Sequence, residues 1–341
     1  MNSITLTTTT QNAIATVAQV GTMANEYAAM TAFSDYRNRK ADNTLSAQDD
    51  DLATFAGYLA AVGLVVTGAD LATNPAAWGG LTWGLVKGFV GWMLKEGYAI
   101  GSINRKLSTV KVYAKLASQA GALGVEDAAL IRSVSGYGGN EAKRVDERRD
   151  VCRIGAKKEN HVALTCDQVK ELKAQPDTAQ GRRDALLLAL LFDLGLRVGE
   201  VVLLEVADFS LKENVIRFCR PKVGISQTHK MTQDLRKAFA AWVDSGDCPP
   251  FGPVLRGSRK GGALTAAGMS EVAISERVRT LGAGVGVAGL SAHDCRHYWA
   301  SRAASQGTDA FALRDAGGWS SLAMPSRYVE SATIANERVR L

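Results

Sequence analysis

The chain has 341 residues, 46% hydrophobic and 22% charged, with 40 Lys and Arg against 34 Asp and Glu for a net charge of +6. That length exceeds one ordinary core of ~100–200 residues, so two domains are expected, and the composition excludes a largely disordered or collagen-like chain. The mild basic excess, with a sequence pI near 9.0, fits a polyanionic partner without demanding one. Five cysteines (Cys152, Cys166, Cys219, Cys248 and Cys295) are scattered, odd in number and without a C-x-x-C, which argues against a disulfide framework or structural zinc and for a reducing compartment.

From Met1 the chain runs into the polar Thr7–Thr10, so no secretory signal is expected. Residues 1–43 read as a polar N-terminal tail with one short helix around Gln11–Phe33. From Thr44 the pattern becomes helical. Thr44 or Ser46 is read as the cap of a helix that starts on Asp49, Asp50 and Asp51, with Leu52, Phe55, Ala56 and Leu59 as its apolar face. A second helix is expected over Gly80–Glu96. Its apolar stretch Trp78–Leu94 is about one turn short of the ~20 residues of a membrane span and is broken by Lys87. Leu81, Leu85, Phe89 and Trp92 there mark one helical face, so no membrane is expected. Helices over Ile100–Ala120 and Val125–Val134 complete a bundle over 44–135.

Ser135–Asn140 then signals a loop, and Glu141–Glu159 carries Lys143, Arg144, Arg148, Arg149, Arg153, Lys157 and Lys158 against five acids. Residues 136–162 therefore read as an exposed basic linker. Residues 1–135 hold ten bases and ten acids, so the whole +6 arises from Gly136 onward. In the second half, Thr165–Lys173 reads as a capped helix and Asp184–Leu194 as an apolar helix ending at Gly195. Val215–Lys222 and Gln227–Thr232 read as a hairpin around Gly224, and Leu235–Val243 as a helix. Helical segments are expected from there to the C-terminus. The predicted fold is mainly α: an N-terminal helical bundle, then a mostly helical domain over 163–341 with one small antiparallel sheet.

Leu196-Arg197-Val198-Gly199-Glu200 follows the apolar run Leu186–Leu194, and by itself Arg197 reads as a cation complementing a helix C-terminus. In Ser291-Ala292-His293-Asp294-Cys295-Arg296-His297, His293 and Arg296 are three apart and share a helix face. An imidazole moves a proton near neutral pH, and a guanidinium presents a fork that fits two phosphate oxygens. His293, Cys295 and His297 also invite a metal reading, but alternate residues on a helix diverge, so the three are not expected to converge on one ion. Ala316-Gly317-Gly318-Trp319 and Tyr328 close the set. A phenol of pKa ~10 is a poor nucleophile without help.

Taken in order, L-R-x-G-E, a hairpin lysine, H-D-x-R-H, G-G-W and a terminal tyrosine resemble the tyrosine recombinase family, also called the phage integrase family. The resemblance covers roughly 163–335 by motif and 44–135 by helical layout. Trp319, where many members have His, resembles the Cre subgroup. The resemblance implies a SAM-like core-binding bundle and a catalytic domain. It implies that Arg197 and Arg296 clamp phosphate and that Glu200 orients the first arginine. Lys222, on the first strand of the hairpin, is implied to protonate the leaving 5′-oxygen, with Lys230 opposite and Lys212 as alternatives. His293 is implied to assist proton transfer at the tyrosine, Trp319 to pack and hydrogen-bond at the scissile phosphate, and Tyr328 to be the nucleophile.

The implied chemistry is a metal- and ATP-independent cleavage through a 3′-phosphotyrosine, with no cofactor. The implied partner is a double-stranded recombination site, held by a homo-tetramer that exchanges strands through a Holliday junction. A cytoplasmic, DNA-associated protein of bacterial or phage origin is expected. Side chains over Ile100–Lys115 and at Ser258–Arg259 are candidates for base contact, and Ile334, Val339 and Leu341 for docking on a neighbouring subunit or in cis. Rival readings are a type IB topoisomerase-like relaxase, a degenerate DNA-binding regulator and, furthest off, a metal-dependent nuclease.

Overall fold

The computed structural model describes residues 5–154, 161–259 and 261–332, with side chains from residue 17 onward. The chain divides into two compact units, 1–157 and 158–341. Among the described residues no helix is long and apolar enough to cross a membrane.

The first unit is helical: α1 (Thr5–Asn38), α2 (Asp42–Ala61), α3 (Gly68–Thr73), α4 (Trp83–Lys95), α5 (Ile100–Gln119), α6 (Val125–Ser133) and α7 (Gly139–Asp146). Its core is aromatic. Phe55 meets Phe89 at 4.9 Å between ring centroids, and Trp78 stacks on Tyr113 at 6.4 Å. Each such buried ring contributes ~1.5–3 kcal/mol. The indole N–H of Trp78 donates to the Leu71 carbonyl at 2.9 Å, so its polar edge is satisfied in the interior.

The helix expected over 11–33 extends over Thr5–Asn38, and its last turns pack on the bundle. Phe33 is buried and Arg37 donates to both Asp49 oxygens and to the Tyr113 hydroxyl. The acidic triplet does not start a helix. Ala41, in extended backbone, precedes Asp42 at the true start, which puts Asp49–Asp51 in mid-helix. There Asp51 is buried and accepts from Lys106 at 3.2 Å and from the Thr109 hydroxyl at 2.8 Å, with Arg105 at 2.8 Å. In the linker stretch, Arg149 is not a solvated charge. It turns back to donate to the Tyr98 and Cys152 carbonyls and pairs with Asp146. Lys157 and Lys158 lie outside the described residues, as do Ile334, Val339 and Leu341.

The second unit contains α8 (Cys166–Lys173), α9 (Ala179–Asp193), α10 (Val198–Val201), β1 (Phe209–Ser210), β2 (Val215–Arg220), β3 (Ile225–Lys230) and α11 (Gln233–Asp244). It continues with β4 (Arg256–Ser258), β5 (Leu264–Gly268), α12 (Glu271–Gly284), α13 (Ala292–Ser305), α14 (Ala310–Gly317) and α15 (Ala323–Ala332). Helix α9 is capped by the Thr178 hydroxyl and is its central rod; Leu186 to Leu191 are all buried. It packs on α11 and α13, and Trp242 of α11 donates from its indole to the Val254 carbonyl. Strands β1, β2 and β3 form an antiparallel sheet in that order, with Val215 opposite Lys230 and Arg220 opposite Ile225.

The second unit departs from expectation in two places. The stretch after α11 is not wholly helical, because β4 and β5 form a second antiparallel hairpin that carries Ser258 near its tip. Lys222 is not on a strand. Pro221 has no N–H to extend the ladder, so β2 ends at Arg220, whose carbonyl accepts from Val223 and Gly224 to close the turn.

Candidate active site

The site is assembled around the C-terminal end of α14. A helix leaves its last carbonyls without intrahelical partners and gathers partial negative charge there, and cations complete it. Here arginines from three separate elements do so. Arg220, the last residue of β2, donates to the Ala316 carbonyl at 2.6 Å and to that of Gly317 at 3.1 Å. Arg296 of α13 donates to the Gly317 carbonyl and to that of Gly195, each at 2.5 Å. Arg197, the residue before α10, reaches the Gly318 carbonyl at 3.1 Å. Gln227 of β3 adds a bond to the Asp315 carbonyl at 2.8 Å.

The G-G-W sequence is dictated by this crowding. Gly318 adopts φ +60°, and a Cβ there would lie 2.5 Å from the Arg220 side chain; one on Gly317 would lie 1.8 Å from the Trp319 ring.

Glu200 is the carboxylate that holds the cations. One oxygen accepts from the Arg197 guanidinium at 2.8 Å and the other from the Arg197 backbone N–H at 2.9 Å, while Arg220 bridges both at 3.0 and 2.9 Å. Two guanidiniums thus pair with one carboxylate, and Arg296 joins Arg220 at the Gly317 carbonyl, so the cluster sets three cations against one anion, an excess of 3 − 1 = +2. Arg220 is fully buried, Arg296 is 4% exposed and Arg197 is more open. Burial, with repulsion from Arg197 and Arg220, pushes Arg296 down to about 9, against attraction from Glu200 and Tyr328. At neutral pH it still carries its charge. Burial likewise lowers Arg220, opposed by Glu200.

Arg296 also lies over the Trp319 ring at 4.2 Å, and Trp299 stacks on the other indole at 6.1 Å. Tyr328 of α15 is buried among Ala300, Ala304 and Leu313, with its ring 6.1 Å from that of Trp319. Its hydroxyl is 2.9 Å from Nδ1 of His297. Burial raises the phenol, and Arg296 pulls it back.

The structure therefore brings together Arg197, Glu200, Arg296, Trp319 and Tyr328. His293 joins through His297, its Nε2 3.1 Å from that of His297. Lys222 stands exposed in the turn two residues beyond Arg220. Lys230 pairs with Val215 at the other end of the hairpin, roughly 17 Å along the strands from Arg220. Cys295 is buried on the opposite side of α13, against the Ser291 carbonyl. His293 and His297, four apart, do converge, although Cys295 does not.

Sequence reasoning missed three residues, two of which carry a signal. Arg220 shares the inward phase of V-I-R-F-C-R with Ile216 and Phe218, an arginine at an apolar position of a strand. His297, one turn beyond His293, shares its face. Both signals were present in the sequence. His161 is a third participant, stacked on His297 at 4.8 Å with planes 5° apart. Among the described residues no group of three His, Cys, Asp or Glu side chains is placed to hold a metal ion.

The model of the phage integrase family matches residues 163–334, half of the chain and the span that holds this site. The chain is 25% identical over 305 residues to the tyrosine recombinase XerC of Roseiflexus sp. (strain RS-1), covering 86% of this chain and 85% of that protein. It is 28% identical over 257 residues to the tyrosine recombinase XerD of Xanthomonas axonopodis pv. citri (strain 306), covering 70% and 75%. In fold it is similar to a lambda integrase dimer bound to a COC′ core site, with a TM-score of 0.58 at 14% identity, covering 87% of this chain and 92% of that one. The chain belongs to the phage integrase family, the tyrosine-type site-specific recombinases.

Proposed function

We propose that the chain cleaves and rejoins DNA by transesterification, with Tyr328 as nucleophile. The observation that carries the reading is the excess of buried positive charge beside a hydrogen-bonded phenol. A phosphodiester gains negative charge on its non-bridging oxygens as phosphorus becomes five-coordinate, and preorganised guanidiniums stabilise that state without rearranging. Arg197 and Arg296 turn to the phosphate the N–H groups not used by Glu200 and the peptide carbonyls. Glu200 and the Gly318 carbonyl fix Arg197, while Arg220 braces Glu200. Lys222, at the end of the hairpin nearest Arg220, protonates the leaving 5′-oxygen. Trp319 holds Arg296 by its ring face, the place that resembles the Cre subgroup.

Attack leaves a 3′-phosphotyrosine and a free 5′-hydroxyl, and a second 5′-hydroxyl reverses the link without ATP. Strand exchange between two sites through a Holliday junction, on a homo-tetramer, is the reading that agrees with the recombinase names of its relatives. We assign 44–135 to core-site binding, 136–162 to the linker and 163–341 to catalysis, in a DNA-associated cytoplasmic enzyme.

The test is covalent capture on a nicked suicide duplex with EDTA present, run beside relaxation of a supercoiled plasmid that lacks a site. Capture by the unmodified chain, no capture by Tyr328→Phe with DNA binding retained, and no site-free relaxation are expected. Relaxation without a site would favour a type IB topoisomerase. Lys222→Ala is expected to be rescued by a 5′-bridging sulfur, which leaves without a proton; rescue confined to Lys230→Ala would move the role to Lys230.

A further inference from the structure

The site described above leaves unexplained where the proton of Tyr328 goes. The hydroxyl of Tyr328 meets Nδ1 of His297, and Nε2 of His297 meets Nε2 of His293. A neutral imidazole carries a single hydrogen. If Tyr328 donates to Nδ1 of His297, that ring's hydrogen sits on Nε2 and is donated to His293, whose own hydrogen then occupies Nδ1. The three groups run outward in burial: Tyr328 is 8% exposed, His297 half-buried and His293 exposed.

His297 is held on its face as well. His161 stacks flat against it, and the backbone N–H of the next residue, Val162, donates to the Asp294 carboxylate at 2.9 Å. Asp294 is itself the capping-box partner of Ser291 at the start of α13. The stack is therefore anchored to the helix that carries both His293 and His297. Among the described residues, the charged or titratable groups facing His297 are His293, Asp294 and Arg296 from α13, His161 from the segment before α8, and Tyr328 from α15. Burial, then His293, His161 and Arg296, lower its proton affinity, and Asp294 opposes them. The ring is thus neutral at pH 7, the state that accepts a proton.

We propose that His297 is the catalytic residue that takes the Tyr328 proton directly, that His293 passes it to solvent, and that His161 is a positioning residue for the relay. The proposal rests on Tyr328 being the nucleophile. In the step, the Tyr328 O–H bond breaks and its oxygen bonds phosphorus. The proton enters Nδ1 of His297 as the Nε2 hydrogen passes to Nε2 of His293, which releases its Nδ1 hydrogen to water. The P–O5′ electron pair leaves with the 5′-oxygen, which is protonated separately by Lys222.

The experiment uses the full chain with the nicked suicide duplex, following adduct formation against pH, and nitrogen-15 NMR of the histidine rings without DNA. His297→Ala is expected to slow capture by about 10²–10³-fold at pH 7, with recovery at higher pH or on adding imidazole. His293→Ala is expected to slow it less, since water replaces the outer ring. His161→Ala is expected to shift the pH profile, and His161→Phe, which keeps a stacking ring, to restore it. NMR is expected to show the Nε2–H tautomer at His297, perturbed by Tyr328→Phe.

Retained capture in His297→Ala with the loss confined to His293→Ala would overturn the relay, as would an Nδ1–H tautomer at His297. A His161→Phe profile no better than that of His161→Ala would overturn the positioning role. No capture by the unmodified chain would overturn the nucleophile reading, and this proposal with it.

Discussion

Asp51 in the first unit and Arg220 in the second are each almost wholly buried, 1% and 0% exposed, and each is met by opposite charge. Around Asp51 the buried centre is the anion. Lys106 and Thr109 satisfy it, and Arg105, with its side chain 50% exposed, lets water take the remaining charge. Around Glu200 the order is inverted. Two cations pair with one anion and a third, Arg296, shares the Gly317 carbonyl with Arg220; two of the three are nearly sealed from water, and peptide carbonyls supply most of their other contacts. Carbonyl dipoles hold guanidiniums in place but do not neutralise them. The first arrangement pairs a sealed anion with a cation, Arg105, that reaches water, whereas the second seals surplus cations, which suits a further anion. On the function proposed above, one cluster serves the fold and the other serves a ligand.

Single substitutions separate the two clusters. Arg197→Ala or Arg296→Ala is expected to slow cleavage of bound DNA by about 10²–10³-fold, read from single-turnover adduct formation; near-normal rates would remove these groups from the site. Asp51→Ala strands Lys106 in the interior and is expected to destabilise the first unit by ~3–5 kcal/mol, read from urea unfolding. Its cleavage rate on saturating DNA, measured where the chain is still folded, is expected to stay near that of the parent. A catalytic loss as large as that of Arg197→Ala would erase the distinction between the two clusters.

The smallest effect concerns acid. Burial, with Arg220 adding to it, pushes His229 down to about 4 from its ordinary 6.5. The folded chain then binds fewer protons than the unfolded chain across that window, so stability rises with pH there and is lost as pH falls. Urea midpoints are expected to drop between pH 7 and pH 4, and His229→Gln to flatten the drop; an unchanged slope would place the acid sensitivity elsewhere.

Much of the helical framework was legible, because α4, α5 and α6 repeat apolar residues at 3-or-4 spacing and α8 opens on a Thr165 capping box. The short strands β4 and β5 were not, since R-G-S and L-T-A-A-G carry little β-branched or alternating signal. Asp49–Asp51 misled because an acidic run after Thr and Ser imitates a helix start, whereas the decisive partners lie on α5, far along the chain. Within the site, Arg197, Glu200, Arg296, Trp319 and Tyr328 were found through the ordered motifs. Arg220 escaped because an arginine on a strand is ordinarily read as outward, and only the α14 carbonyls draw it in. His297 escaped because it was weighed as one of three alternating ligands rather than as the i+4 neighbour of His293.

The phenol beside this excess charge is expected to become bonded to DNA. The most direct measurement is mass spectrometry of the peptide left on DNA after suicide-substrate capture and proteolysis. A nucleotide 3′-phosphate esterified to Tyr328 is expected, and an adduct on any other residue would remove Tyr328 as the nucleophile.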